Sequence, residues 1–208
     1  MGSLEDCIIY TIAKTDSHAS RYAFNESFNI HFFVGRVNDQ DPSKFMVRKN
    51  EVGFSGIFAS PLEAGCANYD QQQASNFIYE DVVPITSTLI DYLQANPKSK
   101  GLIREGEIKT IESLGHESVV PFLREHLQWR IADTSANLIS DEHRIKDSEL
   151  EVKVTSRMFE TPNDENKLGV YSDPVLHREI TDTRPGGYGY VWHQSLGQDT
   201  FGIRSQLV

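Results

Sequence analysis

The chain has 208 residues, 38% of them hydrophobic and 10% aromatic, which is enough to bury one core without staples, so a single domain over 1–208 is expected. Its formal charge of −10, with 20 Lys and Arg spread among 30 Asp and Glu and no basic stripe, argues against a phosphate-binding surface and hence a nucleic-acid partner. No run of about 18 apolar residues occurs, so no membrane helix is expected.

The N-terminus, Met1 to Asp6, carries Glu5 and Asp6 where an export signal carries positive charge. With Cys7 and Cys66 as the two cysteines there is no disulfide framework, which fits a reducing, cytoplasmic setting. Cys7 to Lys14 is rich in Ile, Tyr and Thr and predicts a strand. In Phe28 to Val34 the residues Phe28, Ile30, Phe32 and Val34 share one face, a second strand that Gly35 ends. Val52 to Ala59 predicts a third strand, with Phe54, Gly56 and Phe58 on one side and Pro61 beyond it.

Ile85, Leu89, Tyr92 and Leu93 recur at helical spacing after Pro84, and Asn96-Pro97 stops that helix. A second helix is expected from about Ser118 to Leu127, with Ser118 as N-cap, Pro121 in the first turn, and Val120, Leu123 and Leu127 on one side. Asn137 to Asp147 and Thr161 to Lys167 read as polar loops. Leu150, Val152 and Val154 alternate with Glu151, Lys153 and Thr155, a strand with one face in water. Tyr188 to His193, after the Pro185-Gly186-Gly187 turn signal, is the last predicted strand. The expected fold is therefore an all-β sandwich or barrel with two short helices packed against a sheet.

Three stretches, in order, carry a family resemblance. The first is Phe28 to Val34 followed by the Gly-rich Gly53 to Cys66, and the second is Val83-Pro84-Ile85-Thr86-Ser87-Thr88-Leu89. The third is Val119-Val120-Pro121-Phe122-Leu123 running into Leu127-Gln128-Trp129-Arg130-Ile131. Together they resemble the C-terminal domain of fungal tyrosinases over most of residues 7 to 195. In that family a helical copper domain precedes a β-rich domain that covers the copper pocket.

The resemblance implies a covering domain without its copper domain. The seven histidines, at positions 18, 31, 116, 126, 143, 177 and 193, include no pair three or four residues apart. A binuclear copper centre takes its imidazoles from such pairs on closely packed helices, so copper oxidase chemistry and a metal site are not expected. The family's covering domain often carries a Cys-x-x-Cys for cuprous ion, but this chain reads Cys66-Ala67-Asn68-Tyr69, where a phenol replaces the second thiol.

A covering face freed of its partner either docks on a separate tyrosinase, as a chaperone or inhibitory cap, or closes into a pocket for a small hydrophobic molecule. No nucleophile motif, phosphate loop, dinucleotide fingerprint or zinc spacing appears, so any catalysis is expected to need no cofactor. Reactions within that limit are a cyclisation, of the Diels-Alder type for example, or an isomerisation. Phe33, Trp129, Tyr188 and Trp192 are the candidates to shape such a pocket, although core packing is the ordinary role of aromatics at alternating strand positions. His31, His193 and Tyr190 are the candidates to donate hydrogen bonds or move a proton, because an imidazole on a strand must find a partner when buried.

Overall fold

Nine strands and two α-helices are seen in a computed structural model that describes residues 24, 26–35, 37, 41–47, 50–58, 81–94, 111–140, 145, 150–160, 162 and 166–189, together with the backbone of 7–16. The first sheet contains β1 (Cys7–Asp16), β4 (Asp81–Pro84), β7 (Leu150–Glu160), β8 (Val170–Tyr171) and β9 (Val175–Leu176). Its order is β4-β1-β7, with β8 and β9 both pairing along the outer edge of β7. The second sheet has the order β3-β2-β5-β6, from β2 (Phe28–Val34), β3 (Glu51–Ile57), β5 (Leu127–Asp133) and β6 (Leu138–Ile139). All these strand pairings are antiparallel. The fold is predominantly β with two helices, as the alternation of apolar residues predicts.

One core joins the sheets. The alternating set Phe28, Ile30, Phe32 and Val34 of β2 meets Leu150, Val152 and Val154 of β7, and all are buried. The helices α1 (Thr86–Gln94) and α2 (His116–His126) add Leu89, Val119, Phe122 and Leu123 to the same cluster. The Tyr92 hydroxyl donates to the Val34 carbonyl at 2.7 Å and so ties α1 to the end of β2. Burying each large apolar side chain contributes about 2 to 3 kcal/mol, so this interior, and not helix propensity, holds the two short helices in place.

Gly53 sets how closely the sheets approach. A Cβ there would lie 2.6 Å from Val83 Cγ1, so a side chain would push the edge strands β3 and β4 apart. Beside it the β2–β3 register shifts by one residue between Phe32 and Phe33, pairing Phe32 with Gly53 but Phe33 with Glu51. That bulge turns Val52 against the core and leaves Glu51 on the outer face.

Several expected boundaries move. The second helix begins at His116 with Gly115 as its N-cap, because Ser118 Oγ instead accepts the backbone N–H of Glu112 at 2.9 Å. Pro121 therefore lies inside the helix, not in its first turn. Its buried face is Val119, Phe122, Leu123 and His126, and Val120 is only partly buried. Within the loop expected at 137–147, Leu138–Ile139 pairs with β5, and Ile139 joins the core. Phe54 and Phe58 face outward at 45% and 74% exposure, while Ser55 and Ile57 face in. Tyr188 and Gly189 lie in a turn, not a strand, and residues 190–193 and the Asn96-Pro97 stop lie outside the described residues. No helix among the described residues is long and apolar enough to cross a membrane.

Candidate functional site

Strands β2 and β5 pair so that Phe32 stands opposite Trp129 and His31 opposite Arg130. Alternation then places Phe32, Trp129 and Ile131 on the core face and His31, Phe33 and Arg130 on the other. Among the described residues the pairing on the β6 side covers Ile131 and Ala132, so within that set no strand pairs with the edge of β5 from Leu127 to Arg130. An open edge presents backbone carbonyls and N–H groups that need partners.

Two guanidinium groups meet that need. Arg130 Nη1 donates to the Trp129 carbonyl at 2.8 Å and Nη2 to Gln128 Oε1 at 3.3 Å. Arg184, arriving from the C-terminal tail, donates to the carbonyls of Leu127 and Arg124 and so caps the end of α2 as well. Its Cζ lies 5.8 Å from the centre of the Trp129 ring, within cation–π range. Burial pushes the pKa of both guanidinium groups down from the ordinary arginine value, and for Arg184 the nearby Arg124 acts in the same direction.

Along this edge runs an open groove of about 490 Å³. Trp129, Ile131, Leu138, Ile139, Ile145 and Pro185 give it apolar walls, and Arg130, Arg184, Gln128, Ser140 and Glu125 supply its polar groups. Ile131 and Ile139 belong to the shared core of the sheets, and Trp129 and Ile145 pack against it, so the groove opens along the margin of that core. Its volume is in the range of small-molecule sites.

Of the described sequence candidates, His31 and Phe33 share one face of β2 with ring centres 6.5 Å apart, and Trp129 stands on the opposite face of the sheet. Trp129 lines the groove. His31 is 4% exposed, and its Nδ1–H donates to Glu51 Oε1 at 2.7 Å. The rings of Phe45 and Phe54 lie 5.3 Å and 5.6 Å from its own, and Phe33 is fully buried beside Phe45. Phe45 is delivered by a short 3-10 helix, Pro42–Val47. Asp41 caps that helix, accepting the backbone N–H of Ser43 at 3.1 Å and pairing with Lys44 at 2.9 Å. Hydrogen bonds from Ser43 and Lys44 hold the Asp41 carboxyl down at about 2. Tyr188 lies between two cations, with Lys153 Nζ 4.8 Å and Arg178 Cζ 4.9 Å from its ring centre. Tyr190, Trp192 and His193 lie outside the described residues.

A second polar cluster joins residues that no sequence pattern groups. Ser156 Oγ on β7 lies 2.9 Å from His116 Nε2 and 2.8 Å from His177 Nε2, with the two rings 4.8 Å apart. A hydroxyl has one proton, so it donates to one imidazole and accepts from the other. Burial first, and then the neighbouring His116, hold the His177 pKa below its ordinary value, with Glu179 acting in the opposite direction. The three residues come from α2, β7 and the segment after β9, so spacing alone could not reveal them. Among the described residues no group of three or more His, Cys, Asp or Glu could hold a metal ion.

The family model for the tyrosinase C-terminal domain matches residues 15–154. The chain belongs to that family. Among curated proteins, this tyrosinase C-terminal domain is 29% identical over 181 residues to a tyrosinase of Neurospora crassa, covering 86% of the chain and 24% of the relative. Among solved structures, recombinant mushroom tyrosinase aligns with a TM-score of 0.47 at 16% identity, over 81% of this chain and 25% of that one. The holo-protyrosinase melB of Aspergillus oryzae aligns with a TM-score of 0.38 at 17% identity, over 80% and 21% respectively. The chain thus spans about a quarter of the length of the curated relative it matches. Trp129 and Arg130 lie inside the matched region, while Arg184 and Pro185, which form part of the groove, lie beyond it.

Proposed function

We propose that this tyrosinase C-terminal domain binds a small, flat, hydrophobic molecule in the groove along β5. The observation that carries the reading is that Trp129, at the open edge of that strand, lines about 490 Å³ of accessible space with apolar walls. The turnover proposed for it is a cofactor-independent cyclisation of the Diels-Alder type, or an isomerisation. The groove would supply it by holding a folded substrate against the indole while Arg130 polarises a substrate oxygen. A guanidinium has five N–H donors, and Arg130 uses two of its own on Trp129 and Gln128. Tyr190, Trp192 and His193, close after Pro185 in sequence, stay in the proposal as residues for Ala replacement. His31 is assigned a structural role, because Glu51 and the surrounding rings enclose it.

The test is titration with the uncharged dye N-phenyl-1-naphthylamine. The expected outcome is a dissociation constant of about 1 to 50 μM and a loss of about tenfold or more in Trp129→Leu. Saturable binding that Trp129→Leu leaves unchanged, or no binding at all, would remove the groove as the site.

A second reading, a non-catalytic chaperone or inhibitory cap acting in trans on a separate tyrosinase, is favoured by the family membership together with Phe54, Phe58 and Met46, exposed on and around the edge strand β3. It expects the protein to slow diphenol oxidation by a fungal tyrosinase, and Phe58→Asp to abolish the effect. An unchanged oxidation rate at a large excess of the protein counts against it.

A further inference from the structure

We infer that the groove selects a conjugated acid: a flat aromatic or polyene body against Trp129, with its carboxylate on Arg130 and Arg184. The inference rests on the groove being the binding site, and it names the ligand's charge.

Among the described residues, two cations border one apolar wall in a protein of formal charge −10. Arg130 and Arg184 each donate to backbone carbonyls on the edge of β5. This holds both guanidinium groups in place before any ligand arrives, and a held fork loses little further freedom on binding. Each has N–H groups beyond those bonds. Both are partly stripped of water, the condition in which an incoming carboxylate gains most from a guanidinium.

The strand itself adds a donor. Asp133 N–H bonds to the Asn137 carbonyl on the β6 side, and Ile131 pairs with Ile139 there. In an antiparallel strand alternate residues point the same way, so the N–H of Trp129 is directed to the same edge, beyond the last β6 pair. Its carbonyl already accepts a hydrogen bond from Arg130 Nη1. A carboxylate at this edge therefore meets one backbone N–H between two guanidinium groups, while a conjugated body extends over the indole. Among the described residues that line the groove, Glu125 is the acidic one, and it is exposed, where water and salt screen it.

The experiment compares two dyes with one aromatic frame, the anionic 1-anilinonaphthalene-8-sulfonate and the uncharged N-phenyl-1-naphthylamine. The folded wild-type protein and Arg130→Gln are titrated with both, and circular dichroism confirms that the variant is folded. The expected result is that the anion binds about tenfold tighter than the neutral dye, and that Arg130→Gln removes the difference by weakening the anion alone. Arg130→Lys, which keeps the charge but not the fork, should fall between. Equal binding of the two dyes, or an anion preference that Arg130→Gln leaves intact, overturns the inference while the groove stands. Failure of both dyes to bind overturns the groove reading and the inference with it.

Discussion

The covered face of the β2–β5 pair and the free edge of β5 use similar side chains to opposite ends. On one face His31, Phe33 and Glu51 lie sealed beside Phe45, with His31 and Glu51 side chains only 5% and 8% exposed. Around the free edge of β5, Trp129 and Arg130 border an open groove. The difference is the cover: a 3-10 helix capped by Asp41 closes the first site, and β6 stops short of the second. A polar group enclosed with its partner supports the fold, whereas one held beside free space can meet a ligand.

Removing the cover should have the largest effect. Phe45→Ala is expected to cost about 3 to 5 kcal/mol in urea unfolding, as a fully buried ring is lost. A loss below about 1 kcal/mol would mean that this face is not sealed, and the contrast would fail. Next comes Glu51→Ala, which leaves the His31 imidazole buried without its acceptor at a cost of about 2 kcal/mol. Glu51→Gln, which keeps an acceptor oxygen, should recover more than half of that loss, also measured by urea unfolding. On the open side, Arg130→Gln should change stability by no more than about 1 kcal/mol. A larger loss would assign Arg130 to the fold and sharpen the comparison the other way.

The smallest expected effect is a pH dependence from the Ser156 cluster. The folded His177 pKa lies below its ordinary value near 6.5, so the unfolded chain takes up its proton first as pH falls. The contribution is present above about 6.5 and is lost as pH drops through the folded value. Melting temperatures should therefore fall on acidification, and His177→Gln should flatten part of that fall. An identical pH profile in the variant would show that this imidazole does not titrate differently on folding.

The limits of the sequence reading can be traced to particular residues. Alternation in 28–34 and 150–154 placed the core residues Phe28, Ile30, Phe32, Val152 and Val154 correctly, because a strand with one buried face must repeat every two residues. The spacing of Leu89 and Tyr92, with Ile85 just before the helix, likewise marked the buried face of α1, but Leu93, expected on the same stripe, is exposed. Trp129 could be singled out as an aromatic after the second helix, but nothing in its neighbours says that β6 ends before reaching it.

Glu51 shows the same limit more sharply. Strict alternation from Phe54 would put Glu51 on the face opposite His31, and the one-residue bulge at Val52 brings it across. Arg184 was not distinguishable from any other tail arginine, since its partners are carbonyls 57 and 60 residues away. The amino-acid order by itself determined the fold class, the family and most of the core, since these follow from short-range periodicity and ordered motifs. Tertiary structure alone decided which histidine is sealed, which strand edge stays open and which cations gather there. Those outcomes depend on register, strand length and contacts between distant segments, where a shift of a single residue exchanges inside for outside.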